Sequence, residues 1–424
     1  MLKIVRSNNE SALARLFTER RAQELSAERI ARRIVTSVRR KGDAALLQLA
    51  RELDGADLQR EGFTVTRQEI RAAYAQTPKE FLAAVRIAAR NIRATAKRQL
   101  PRGWMAKISP GIEVGQAIRP LDRVACYVPG GRFPLPSTVL MSVIPAQEAG
   151  VREIVVTSPR AAPAVCVTAD FLGVKKIYRL GGAQAIAAFA FGTESVPRAD
   201  KIVGPGNRYV AAAKKLVAGD CGIDFVAGPT ELVVVGSAGR AAWIASDLVA
   251  QAEHDPDASA IFITSSMKLA IEVQSAAQSS LKKLRSAVAE ASLRRRGAII
   301  LTKGLAESIE LANRLAPEHL TLLDDAASSL SEIRSAGAIF LGGSSPVAAG
   351  DYASGGNHIL PTAGAARVRG GLTAADFVKS ISVQRLSRSG LRDLGRTIIT
   401  LAEAEGLRAH AQSIEARFEN DPRA

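Results

Sequence analysis

Residues 123–158 read RVACYVPGGRFPLPSTVLMSVIPAQEAGVREIVVTS, and their pattern decides the fold. RVACYVP is a short apolar run of the length expected for a buried strand. The Gly- and Pro-rich stretch 130–136 reads as a turn, residues Ser137 to Ala149 as a helix, and REIVVTS as a second strand. Strand, helix and strand in succession form a βαβ unit, which places the strands parallel with a helix packed on the sheet.

The alternation continues downstream. Helix 162–172, strand KKIYRL, helix 183–191 after Gly181-Gly182, strand DKIVG and helix 208–218 follow in turn. A second series starts at ELVVVG (231–236), with helix 240–252, SAIFITS (259–265), AIILT (298–302), LTLLD (320–324) and AIFLG (338–342). The expected fold is therefore α/β, with two Rossmann-like, incomplete, doubly wound parallel sheets. The similar strand spacing of the two series fits an internal duplication, and equally fits shared architecture alone.

Residues 1 to about 100 read as mostly helical. Ser26 is placed to cap a helix carrying Ile30, Ile34 and Val38 and closed by Gly42, and a helix over 67–98 should break near Thr77-Pro78. The tail from about 373 also reads as helical. The expected division is an arm at 1–20, a larger domain of 21–126 with 231–373, a second domain at 127–230, and a helical tail at 374–424.

Composition narrows the function. The 424 residues are 47% hydrophobic but only 4% aromatic, and carry a net charge of +16. Basic residues are interspersed with acids along helices, few aromatics are available to stack on bases, and no nucleic-acid motif is present, so no nucleic-acid partner is expected. No run of apolar residues is long enough to span a bilayer, so no membrane partner is expected either. The N-terminus lacks a secretory pattern, and the widely spaced Cys126, Cys166 and Cys221 form no disulfide framework, so a reducing cytoplasm is the expected setting.

Only four histidines occur: His254, His319, His358 and His410. Each lies in a polar word: QAEHDPD, APEHL, GDYASGGNH and AEAEGLRAH. Gln251 and His254 sit three apart at a helix end and could form two corners of a metal site, or His254 could simply cap the helix. Glu318 and His319 are adjacent at a strand start, which suits proton transfer and equally suits a surface turn. Asp351 precedes His358 in a Gly-rich loop, and Glu405 and His410 flank Gly406. The Gly-rich turns at Gly181-Gly182 and Gly204-Pro205-Gly206-Asn207 could admit a phosphate at a helix N-terminus, or be tight turns with no ligand.

The words YVPGGRFPLPSTVLM, LGGAQAIAAFAFGTE, KIVGPGNRYVAAAKKLV, IDFVAGPTE, SDLVAQAEHDPDA, APEHL, GDYASGGNHILPT and AEAEGLRAHA, in this order, resemble the histidinol dehydrogenase family. The resemblance runs from about residue 20 to 417. It implies a zinc-dependent, NAD-linked enzyme that oxidises L-histidinol to L-histidine through L-histidinaldehyde. By motif, Gln251, His254, Asp351 and His410 would hold one Zn2+ per subunit, and Glu318 and His319 would be the acid/base residues. Thr230, Gln251, His254, His319, Asp351, Glu405 and His410 would contact the substrate, and Tyr127, Gln184 and Asn207 would contact NAD. It further implies a homodimer with shared active sites, completed by the C-terminal segment of the partner. Thr230 stands where the family often has Ser, which keeps the hydroxyl. The resemblance assigns no role to His358.

On this basis His319 is expected to take the alcohol proton, Glu318 to activate water against the aldehyde, and Glu405 to meet the cationic substrate. A thiohemiacetal on Cys126 is the competing route for the aldehyde. A paralogous dehydrogenase of another small primary alcohol and a zinc hydrolase are the competing functions.

Overall fold

The computed structural model describes residues 2–11, 13–14, 21–130 and 134–418. The expected arm and the turn at 130–136 thus lie partly outside the described residues. The chain divides into two compact units. One comprises residues 1–99 and 121–377, the other 100–120 and 378–424.

Along the chain, β1 (Lys3–Arg6) is followed by helices Arg21–Lys41, Arg67–Gln76 and Lys79–Arg98. Then come the hairpin of β2 (Trp104–Ser109) and β3 (Ile112–Pro120), and the first parallel series: β4 (Arg123–Tyr127), β5 (Glu153–Thr157), β6 (Lys176–Tyr178), β7 (Lys201–Val203) and β8 (Gly222–Ile223). The second series is β9 (Glu231–Val235), β10 (Ser259–Thr264), β11 (Gly297–Leu301), β12 (His319–Leu322) and β13 (Ala338–Leu341). Strand β14 (Val378–Leu386) and helices Arg388–Ala404 and Arg408–Glu415 close the described chain.

In the first unit the five-stranded sheet has the order β6-β5-β4-β7-β8 and the six-stranded sheet β1-β11-β10-β9-β12-β13. All their pairings are parallel. Each series thus starts at a central strand, winds outward one way, then restarts on the other side. This is the doubly wound arrangement expected from the βαβ pattern. In β9, Leu232 and Val234 face one apolar cluster while Val233 and Val235 face another, so the sheet is covered on both faces. Under the five-stranded sheet, Tyr178 and Phe189 meet edge to face at 5.2 Å. Each such buried side chain contributes roughly 1.5–3 kcal/mol by leaving water.

Several local expectations hold. The break at Thr77-Pro78 separates helices Arg67–Gln76 and Lys79–Arg98, and the first of these starts at a Thr66–Glu69 capping box. Others need correction. The first long helix begins at Arg21, so Ser26 lies within it and caps nothing. β1 pairs with β11, a partner so distant in sequence that no local pattern marks it. A boundary at 126/127 would cut β4, the central strand of its sheet, one residue from its end.

The tail is not wholly helical. In the second unit β14 pairs antiparallel with β3 and β3 with β2. β2 and β14 are largely exposed and β3 is half-buried, and all three stand outside the βαβ alternation that marks the parallel sheets.

Candidate active site

The residues expected to serve as acid and base collect at the edge of the six-stranded sheet where its strands begin. The helix Leu305–Leu315 ends at Ala316, whose φ of 46° turns the chain left-handed, and Pro317 prevents it from continuing. β12 then enters the sheet with His319 paired to Leu232 of β9, which puts Glu318 level with Glu231. Both Glu318 and His319 are buried.

Glu318 Oε2 accepts hydrogen bonds from the Glu231 amide at 2.9 Å and from the Thr230 hydroxyl. Gln251 Nε2 donates in turn to Thr230 Oγ1. Burial pushes the Glu318 carboxyl up to about 7, against the opposing pull of His319 and these donors. The group is therefore poised to exchange a proton near neutral pH.

His319 Nδ1 lies 3.0 Å from the Glu231 carbonyl. A carbonyl only accepts, so Nδ1 carries a proton and Nε2 is the atom that titrates. Nε2 is buried with no hydrogen-bond partner and sits 3.6 Å from Asp351 Oδ1. Burial disfavours the imidazolium, but Glu318 and Asp351 outweigh it and lift His319 to about 9. Burial also opposes ionisation of Asp351, yet His319 holds its carboxyl below the usual range, with His358 and His254 nearby.

Three of the four histidines thus converge on Asp351. His254 lies just past the helix Ala241–Ala252, on its exposed side, while Gln251 is buried within that helix. His358 has a role that sequence reasoning missed. Its Nδ1 is 3.0 Å from the Asp351 carbonyl and its Nε2 3.1 Å from Thr138 Oγ1. The carbonyl demands an N–H, so neutral His358 accepts from Thr138, in keeping with the burial that lowers its pKa. His358 is a strut between the Asp351 segment and the helix Pro136–Glu148, and Asn357 reinforces it by donating to the Met141 carbonyl at 2.8 Å. Nothing in the local sequence marks Thr138 as a partner.

The donor set here suits a borderline cation. Gln251 keeps its amide oxygen, Asp351 is ionised, and His254 is an accessible imidazole, a nitrogen and oxygen set of the kind zinc accepts. Among the described residues no group of three His, Cys, Asp or Glu side chains is close enough to hold a metal ion alone. Glu405 and His410 belong to the second unit, Glu405 capping the helix Arg388–Ala404 and His410 lying in Arg408–Glu415. Both are exposed.

Tyr127, Gln184 and Asn207 gather at the opposite kind of edge, where the strands of the five-stranded sheet end. The Tyr127 hydroxyl accepts from the Gly182 amide at 3.1 Å. Gln184 donates to Asp54 at 3.0 Å, while its own carbonyl oxygen is buried without a partner. Asn207 caps the helix Arg208–Val217 by accepting from the amides of Tyr209 and Val210. The strand order reverses between β4 and β7, which is where open α/β sheets place a ligand crevice.

Cys126 lies inside β4, fully buried, and burial pushes its thiol up to about 12. It has neither the access nor the thiolate character of a nucleophile. None of the described helices is long and apolar enough to cross a bilayer.

Comparison with known proteins identifies a family. The profile described as Histidinol dehydrogenase matches residues 18–418. The histidinol dehydrogenase of Methanothermobacter thermautotrophicus is 47% identical over 91% of this chain and 92% of its own length. That of Halalkalibacterium halodurans is 48% identical over 92% and 93%. The crystal structure of histidinol dehydrogenase from Elizabethkingia anophelis superposes with a TM-score of 0.92 at 34% identity, covering 99% of this chain and 98% of that one.

Proposed function

The chain belongs to the histidinol dehydrogenase family, and from that premise we propose that it oxidises L-histidinol to L-histidine through L-histidinaldehyde, with NAD as acceptor and zinc as resident metal. The observation that carries the chemistry is the buried Glu318–His319 pair with His319 Nε2 unpartnered beside Asp351. The reaction removes two hydrides and adds one water: alcohol to aldehyde, then hydrated aldehyde to acid.

Gln251, His254 and Asp351, with His410 of the partner subunit, would hold the metal. Zinc, when bound, supplies a Lewis-acidic anchor for the substrate's nitrogens, and NAD, when bound, accepts hydride. His319 Nε2 takes the hydroxyl proton as the C–H bond breaks, and its fixed Nδ1–H contact with the Glu231 carbonyl holds the ring in place for both steps. Glu318, near neutral in its affinity for protons, draws a proton from water as that water adds to the aldehyde. The Thr230 hydroxyl, shared between Gln251 and Glu318, keeps the carboxylate aligned with the ligand residue. The partner subunit's Glu405 would meet the positive charge of the substrate. We propose the active form to be a homodimer for this reason.

The test is NADH formation on adding L-histidinol: two NADH per histidinol, lost with a chelator and regained with zinc. A flat trace, with turnover of another primary alcohol, would overturn the substrate assignment. Glu318→Gln should slow oxidation of L-histidinaldehyde about tenfold more than that of L-histidinol, and equal losses would break the division of labour. Mixing Glu318→Gln and His410→Ala subunits, each impaired in forming L-histidine, should restore activity through hybrid dimers. No recovery after verified exchange would count against shared sites.

A further inference from the structure

A buried ion pair lies outside the machinery described so far. Lys214 and Asp224 are each only 3% exposed, and Lys214 Nζ sits 2.6 Å from Asp224 Oδ1. Lys214 comes from the helix that Asn207 caps, and Asp224 directly follows β8. The pair spends its hydrogen bonds on the backbone. Asp224 Oδ2 accepts from the Gly204 amide at 2.7 Å, Lys214 Nζ donates to the Gly204 carbonyl, and Asp224 Oδ1 accepts from the Phe225 amide at 2.6 Å. Both polar backbone groups of Gly204 are therefore gripped by one charge pair.

Gly204 occupies a critical place. It follows β7 at the reversal of strand order, with φ of 119°, and a Cβ there would lie 2.0 Å from the Tyr127 carbonyl oxygen. Between Gly204 and the helix lie only Pro205, Gly206 and Asn207. An ion pair withdrawn from water is not an efficient source of stability, since well-packed apolar residues can replace one without loss. Apolar residues could not hold the Gly204 amide and carbonyl. We propose that Lys214 and Asp224 are positioning residues that hold the Gly204–Asn207 turn against Tyr127 before the dinucleotide arrives, so that its crevice is preformed. The inference rests on the reading of NAD as acceptor, and wild-type NADH formation tests that reading separately.

The test uses the full enzyme. Lys214→Met or Asp224→Asn leaves one buried charge alone and can fail to fold, so the informative variant is the double K214M/D224L, which removes both. The expected result is a folded enzyme whose KM for NAD rises about tenfold or more while its KM for L-histidinol and its kcat stay within about threefold. A folded double variant with wild-type KM for NAD would overturn the proposal. So would equal loss in all three parameters, which marks a merely structural role. Hydrogen exchange on the wild-type enzyme gives an independent reading. The Gly204 amide should be as protected without NAD as with it, and protection that appears only on adding NAD would overturn the preformed turn.

Discussion

In the five-stranded sheet the residues proposed to contact the dinucleotide follow the strands, whereas in the six-stranded sheet the proposed acid/base residues precede them. The strand order of β6-β5-β4-β7-β8 recurs in β11-β10-β9-β12-β13. What differs is which helix ends face the chemistry. At the first edge, helices begin: Gly182–Phe191 and Arg208–Val217 present their N-termini, whose amides and partial positive charge favour phosphate. At the second, helices finish. Ala241–Ala252 ends beside His254, Leu305–Leu315 ends before Glu318, and Val347–Tyr352 carries Asp351 near its end. Helix C-termini carry partial negative charge and favour cations. That suits an imidazolium, a divalent metal and a cationic amino alcohol. One architecture thus presents helix N-termini at one edge and helix C-termini at the other, and the His358–Thr138 strut ties a helix of the first half to the segment that carries Asp351 in the second.

The contrast breaks most readily at His319. His319→Asn should lower kcat/KM for L-histidinol by about a thousandfold, within the range for loss of a general base, as read by steady-state kinetics with NAD saturating. Near wild-type turnover would move the base elsewhere.

The pH profile gives the next largest effect. His319 is lifted from 6.5 to about 9 by the negative groups around it, and only its unprotonated form accepts a proton. kcat/KM should therefore climb with pH toward about 9, and a flat profile between pH about 7 and 9 would contradict the cation-favouring edge. The linked stability runs the other way. The charged His319 stabilises the fold below pH 6.5, and this contribution is lost as pH rises through about 9.

At the dinucleotide edge, Gly204→Ala forces a side chain into the Tyr127 carbonyl at a positive φ. A loss of about 1–3 kcal/mol in stability is expected from backbone strain alone, read by thermal melting, with a higher KM for NAD. An unchanged melting temperature and KM would show that the turn has slack. The smallest effect belongs to Cys126→Ala. Turnover should stay within about twofold, because a buried thiol held near 12 forms no thiohemiacetal. A thousandfold loss in the aldehyde step would revive that route.

Much of this was legible in the chain. The βαβ alternation from Arg123 onward predicted most strands of both parallel sheets, though not the two-residue β8, since strand and helix periods are local properties of ten or so residues. The histidine-bearing words picked out His254, His319 and Asp351, which the first unit brings together. The strands β2, β3 and β14 were not legible, because they stand outside the βαβ alternation and β14 pairs with β3 across a long stretch of sequence. β1 was missed because its partner β11 lies far away in sequence. His358 could not be read at all, since its meaning lies in two contacts, one with a carbonyl seven residues back and one with a hydroxyl on a distant helix.

By itself, then, the sequence determined most strands of the two parallel sheets, the donor types near the site and the family, because these depend on residue identity and local spacing. Only the tertiary structure decided the states of those groups. It buried Glu318 so that its carboxyl rises to about 7 and left His319 Nε2 without a partner. It made His358 a strut and closed Cys126 to chemistry. Protonation and access are set by desolvation and by charges that meet across the fold, and a linear chain does not contain those distances.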